Sequence, residues 1–363
     1  MPRQSPFTLI KHSGMLYVVI SFLWVSLWFY LLFGGADFGA GILELFTRAH
    51  NKDRTRRTMY RAIGPIWEAN HMWLIIAIVI LFVGFPGIYA VMSTAMHIPL
   101  IIMLLGIIAR GTAFAFRHYD AVVDDMQQVY NRIFTWSSLI TPLFLGIIAG
   151  STVAGRISIQ PKHFMEDYVF NWLNWFSVAV GCFTVAISAF LAAIFLIGEA
   201  RGEKDKRRFI AKAKTANIAA FIAGALVFIS SLYQHIPLLD WIFGNWVGRI
   251  SITAASLSLI LLWYLLSRGQ VKILPVLAGF QVTMILLSVT YVHFPKIVLL
   301  KGGGYLSLLE HEATDKTIES LGWALLIGSI FIMPALFYLL YSFRKSAKKQ
   351  AETPAKSITT TPN

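Results

Sequence analysis

The chain has 363 residues, of which 57% are apolar and 13% charged, with a net charge of +13 and a mean hydropathy of +0.66. A soluble domain carries about 25% charged residues, so the composition excludes a soluble enzyme, a disordered chain and a disulfide scaffold. The single cysteine, Cys182, excludes an internal disulfide, a cysteine-ligated zinc, an iron–sulfur cluster and a c-type haem attachment.

A membrane-spanning helix needs about 20 mainly apolar residues. By that measure nine spans are expected near 15–36, 70–86, 88–109, 132–154, 170–198, 215–235, 249–267, 273–293 and 321–343. The predicted class is therefore an all-α polytopic membrane protein with one transmembrane domain over residues 1–349. Residues 350–363 are polar and short of core formers, and read as a disordered cytoplasmic tail. The N-terminal sequence shows no short apolar stretch followed by a small-residue cleavage site, so the first span is expected to be retained.

Lys and Arg alternate between loops. Segments 47–66, 109–132, 199–214, 267–273 and the tail from 344 hold 23 of the 31 basic residues. Basic loops mark the cytoplasmic side, which predicts an outside N-terminus and a cytoplasmic C-terminus, as nine spans require. The same distribution argues against nucleic acid. Arg54, Arg56 and Arg57, then Lys206, Arg207 and Arg208, sit beside spans, where they fix topology and meet anionic lipid.

The first span ends in Gly34-Gly35-Ala36-Asp37-Phe38-Gly39-Ala40-Gly41-Ile42-Leu43-Glu44. Gly35 and Gly39 form a small-residue pair that admits another helix closely. Asp37 and Glu44 are seven residues apart and share a helix face. An ionisable group inside a span is functional by default, although Asp37 also fits polar glue between helices. Glu44 is expected to be solvated at the interface.

The second span opens with Gly64-Pro65-Ile66-Trp67-Glu68-Ala69-Asn70-His71-Met72-Trp73. Glu68 in a first turn complements the helix dipole, and Trp67 and Trp73 suit an interfacial aromatic belt. Glu68, Asn70 and His71 also crowd polar groups at the membrane depth of Asp37. After the third span comes Arg110-Gly111-Thr112-Ala113-Phe114-Ala115-Phe116-Arg117-His118. Arg110 either snorkels to the interface or turns inward as a counter-charge for Asp37 or Glu68. His97, His235 and His293 fall near outer span ends. No pair is spaced to compel a shared metal or haem, so no axial ligand is expected from this chain.

The segments at 35–41, 64–75 and 110–117 resemble subunit II of cytochrome bd-type quinol oxidases, and are closest to the cyanide-insensitive branch. The likeness covers the whole chain in length and span number, with most specific motifs in the first 150 residues. The resemblance implies a haem-free subunit in the bacterial inner membrane, beside a haem-bearing subunit I that holds haems b and d and the quinol site. It leaves room for a small accessory subunit. The complex would oxidise quinol, reduce oxygen to water and take its protons from the cytoplasm. The family's acids in a polar path toward the haems match Glu68 and Asp37, with Asn70, His71, Trp67 and Arg110 as lining or counter-charge. Relatives often carry an acid where this chain has Ala115, which places more weight on Glu68. Gly35 and Gly39 are expected to serve assembly with subunit I, the helix they admit belonging either to that subunit or to this chain. The competing classes are a secondary transporter and a purely structural assembly subunit. The absence of an internal sequence repeat weighs against the transporter.

Overall fold

The structure, a computed structural model, describes residues 6–64, 67–119, 126–200 and 202–352. The first long helix is α1, Pro6–Phe29, which passes through a π-helical turn, Tyr30–Gly34, into α2, Gly35–Leu45. Gly14–Leu45 forms one apolar stretch of 32 residues. At a rise of about 1.5 Å per residue it is about 48 Å long, well beyond the hydrocarbon thickness of about 30 Å. Its last turns therefore extend past residue 36, where the sequence placed the span's end. A short break leads to the amphipathic α3, Ala49–Ile63, whose Thr55, Thr58 and Met59 are buried while Arg57 and Arg61 face out.

Helix α4, Trp67–Gly84, stops at Phe85, and Pro86 occupies the first position of α5, Pro86–Ala95. A residue preceding proline is pushed away from helical geometry, while proline itself starts a helix well. The chain bends by 115° there. Gly84-Phe85-Pro86-Gly87 has the composition of a tight helical hairpin between spans two and three, but the structure places the ten-residue helix α5 there instead. The third span is α6, His97–Tyr119, displaced about nine residues from the 88–109 read in the sequence. This displacement puts Arg110 inside a helix rather than after one.

The remaining elements are α7 (Met126–Val153), α8 (Phe164–Tyr168), α9 (Trp175–Glu199), α10 (Glu203–Tyr233), α11 (Leu238–Phe243), α12 (Trp246–Ser267), α13 (Leu274–His293), β1 (Lys296–Leu299), β2 (Tyr305–Ser307) and α14 (Asp315–Glu352). The strands form one antiparallel hairpin. Among the described residues eight helices can cross a membrane, and the bent α4–α5 pair can supply a ninth crossing. The tail read from residue 350 begins in the structure as the end of α14. Residues 353–363 lie outside the described residues.

Helix α9 is the hub, packed against α2, α7 and α10. Lipid tails are as apolar as leucine, so close backbone packing rather than hydrophobic expulsion must hold such helices together. The α2–α9 contact illustrates this. A Cβ at Gly39 would overlap the Ser188 carbonyl and crowd Ala192, whereas one at Gly35 would meet Ser188 Oγ at 3.4 Å and Leu191 at 3.7 Å. The small-residue face expected to serve assembly with another subunit is therefore occupied by this chain's own α9. Gly39→Ala should lower the stability of the detergent-solubilised protein by about 1–3 kcal/mol through overpacking. Gly35→Ala should be neutral or mildly stabilising, because alanine favours helix by about 1 kcal/mol over glycine. Thermal unfolding of the two variants side by side checks this; equal midpoints would contradict the packing assignment.

Candidate functional site

Helices α2 and α6 run in the same direction and carry charges at matching seven-residue intervals. Asp37 pairs with Arg110, and Glu44 with Arg117, each across 73 residues of sequence. The result is a two-rung ladder of ion pairs inside the helical core. The upper rung is buried, with Asp37 and Arg110 each 1% exposed. Arg110 Nη2 donates to Asp37 Oδ1 at 2.7 Å and to the Asp37 carbonyl at 3.0 Å. Its Nε donates to Ser138 Oγ at 3.0 Å. Ser138 in turn donates to the Phe134 carbonyl one turn back in α7.

His71 enters this rung from α4, with Nε2 4.0 Å from Asp37 Oδ2. Its ring lies edge-on to Phe38 and near Tyr30. Four polar atoms here are buried without a hydrogen-bond partner among the described residues: Tyr30 Oη, Asp37 Oδ2, His71 Nδ1 and Arg110 Nη1. Buried polar groups are nearly always bonded to protein or to ordered water. The cluster thus has the polar lining and the unused hydrogen-bonding capacity of a hydrated site, on one side of a fully formed ion pair. The π-helical turn at Tyr30–Gly34 sits directly above it, and such turns are frequent at functional sites.

The lower rung corrects the sequence reading of Glu44 as a solvated residue, since it is 1% exposed. Its carboxylate accepts from Arg56 Nε and Nη2 at 3.1 and 3.0 Å. Arg117 Nη2 bridges Oε1 and Oε2 at 2.9 and 3.0 Å. Burial of this acid requires such pairing, because an isolated carboxylate in a low-dielectric interior is very costly. Phe134 separates the rungs, with the Arg110 and Arg117 guanidiniums 4.9 and 4.3 Å from its ring centre. A cavity of about 10 Å³ beside Glu44, Arg56, Tyr60 and Arg117 approaches the volume of one water. Burial pushes the Tyr60 phenol above its usual pKa, against the opposing pull of Arg117.

The other sequence candidates are close by. Asn70 is buried in the first turn of α4, and Trp67 packs on Phe114 with ring centres 5.0 Å apart. That contact brings the turn carrying Glu68 against α6 between the two rungs. The Glu68 side chain itself lies outside the described residues. Ala115 is half-buried and brings no ionisable group. Sequence reasoning missed Arg56, Arg117, Ser138 and Tyr30. The signal for Arg117 was present: Arg110 and Arg117 repeat the spacing of Asp37 and Glu44. Among the described residues no three His, Cys, Asp or Glu side chains cluster as metal ligands.

Comparison with known proteins agrees with this architecture. Residues 15–343 match the family model for cytochrome bd terminal oxidase subunit II. The cytochrome bd ubiquinol oxidase subunit 2 of Bacillus subtilis is 31% identical over 183 residues, which is 50% of this chain and 51% of that protein. The cytochrome bd-I ubiquinol oxidase subunit 2 of Escherichia coli K12 is 26% identical over 230 residues, or 60% and 58% of the two chains. The aligned part thus spans only about half the length of these curated relatives. The fold is similar to a chain in the structure of bd oxidase from Geobacillus thermodenitrificans, with a TM-score of 0.74 at 20% identity, covering 91% of this chain and 98% of the other. A match over nearly the whole chain, together with its membrane-crossing helices, makes this a multi-pass protein of the bacterial inner membrane that belongs to the cytochrome bd terminal oxidase subunit II family.

Proposed function

We propose that this chain serves as the haem-free subunit II of a terminal oxidase that oxidises quinol and reduces oxygen to water, and that it supplies the route for protons from the cytoplasm. In this reading the partner is a haem-bearing subunit I that holds haems b and d and the quinol site, with or without a small accessory subunit. The N-terminus lies outside and the C-terminus in the cytoplasm, as the charge distribution requires. The observation that carries the proposal is the upper rung. A buried ion pair with one carboxylate oxygen uncommitted, an imidazole 4.0 Å away and several unpartnered polar atoms is costly inside a membrane protein, and such groups mark ion pathways.

The chemistry expected of this chain is proton transfer and water positioning. Glu68 receives a proton near the cytoplasmic face and passes it through water along the Asn70 and His71 side of α4. Asp37 Oδ2 is the next acceptor, while Arg110 holds the other oxygen and fixes the carboxylate's orientation. Ser138 and the Asp37 carbonyl each take a further donor of Arg110 and hold the guanidinium in place, which leaves Nη1 free to bind water. The lower rung excludes bulk water beneath the site and keeps α2, α3 and α6 in register.

Purification tests the assignment. The chain expressed alone should show no Soret absorption, and the complex recovered from its native membrane should show haem absorption and quinol-driven oxygen uptake. Stoichiometric haem in the isolated chain, or recovery from the membrane without any haem-bearing partner, would contradict the proposal.

A further inference from the structure

At the end of the molecule opposite the basic loops, the start of α9, the end of α10 and the chain leaving α7 enclose a groove of about 790 Å³. That volume is within the roughly 300–1,000 Å³ of small-molecule sites. Its walls include Phe170, Leu173, Trp175 and Tyr233, which are 48%, 47%, 72% and 74% exposed. Trp175 is the first residue of α9 and Tyr233 the last of α10, so the groove lies where these spans leave the hydrocarbon. Val178, one turn deeper on α9, continues the apolar wall toward the lipid tails.

Three polar groups in the groove lack partners among the described residues, one of them the exposed His235 ring. Arg156 is exposed, and makes no hydrogen bond or ion pair among the described residues. Topology does not explain it, since this side carries only 8 of the 31 basic residues. Gln234 Oε1 is buried and has no hydrogen-bond donor among the described residues. Asn174, by contrast, is fully engaged in capping α9 through Ser177 and in bonding the Asn171 carbonyl. The groove therefore offers one permanent cation, an exposed imidazole, one buried acceptor and an apolar wall open to the membrane.

We propose that this groove binds a glycerophospholipid of the outer leaflet whose headgroup carries a hydrogen-bond donor. The phosphate meets the Arg156 guanidinium, and the glycerol hydroxyl or ethanolamine ammonium donates to Gln234 Oε1. The acyl chains run along Leu173, Trp175, Val178 and Tyr233. Inorganic phosphate would satisfy Arg156 but would leave both the apolar wall and the deeper acceptor unused. The inference is independent of the proton route.

Native mass spectrometry of the full chain, purified in detergent with any subunit that accompanies it, tests this. After delipidation the protein is titrated separately with phosphatidylglycerol, phosphatidylethanolamine, phosphatidylcholine and inorganic phosphate. One phosphatidylglycerol or phosphatidylethanolamine per chain should be retained, with phosphatidylcholine, which has no headgroup donor, bound about tenfold more weakly. Arg156→Gln should weaken retention about tenfold, the scale of one lost charge-assisted hydrogen bond. Arg249→Gln at the same end, outside the groove, should change nothing. Gln234→Leu should erase the discrimination against choline while leaving phosphate recognition intact. Equal retention in wild type and Arg156→Gln, equal binding of the choline lipid, or complete displacement by inorganic phosphate would overturn the proposal.

Discussion

Arg110→Leu is expected to cost the fold about 3–5 kcal/mol, the usual consequence of removing one partner of a buried ion pair. Leucine fills most of the aliphatic volume, so the loss arises from electrostatics rather than from a cavity. Asp37 Oδ1 and the Asp37 carbonyl lose their donor together, Ser138 Oγ loses the guanidinium, and Phe38 and Phe134 lose the cation over their rings. The carboxylate left behind is a buried charge without its counter-ion, since Asp37 is 1% exposed. Removing both charges should be far milder, because a buried pair replaced as a unit is often neutral or better. The double variant Asp37→Asn/Arg110→Met should therefore recover most of the stability lost in Arg110→Leu. Unfolding of the detergent-solubilised protein measures both. Similar midpoints for the single variant and wild type would show that the pair is dispensable to the fold.

The two rungs also explain which parts of the protein could be read in the sequence. The spans were legible because a run of about 20 apolar residues has one good solution in a bilayer. Asp37, Asn70, His71 and Arg110 were legible as polar residues that membrane physics would not place without use. Their meeting follows from α4 packing on α1 and the π-helical turn that leads into α2, and from α2 and α6 both packing on α7; the sequence offered the inward turn of Arg110 as one of two readings.

Where the reading failed, tertiary structure decided. Gly84-Phe85-Pro86-Gly87 has the composition of a turn, and nothing local shows that residues 86–95 resume as a helix bent by 115°. That bend moved the third span and buried Arg110. Glu44 read as an interfacial residue because its counter-charges come from Arg56 on α3 and Arg117 on α6, at 12 and 73 residues' distance. The Gly35–Gly39 stripe announced a close helix contact without naming the partner, which proved to be α9. No periodicity in the sequence marks the π-helical turn at Tyr30–Gly34.

In the proposed function, protons for oxygen reduction pass through this chain by way of Glu68 and Asp37, and Glu68→Gln separates that role from a structural one. Glutamine keeps the side chain's shape and some of its hydrogen bonding while removing the titratable proton. The Trp67–Phe114 contact that seats the first turn of α4 is untouched. If Glu68 served only to complement the helix dipole, the variant would lose about 0.3–1 kcal/mol of stability and no more. If it relays protons, quinol-driven oxygen uptake should fall on the order of a hundredfold, the scale on which a positioned proton-transfer group contributes. The measurement is oxygen uptake by the purified complex, normalised to its haem absorption. Turnover should fall severely at wild-type haem content, and full turnover in an intact Glu68→Gln complex would rule out the relay.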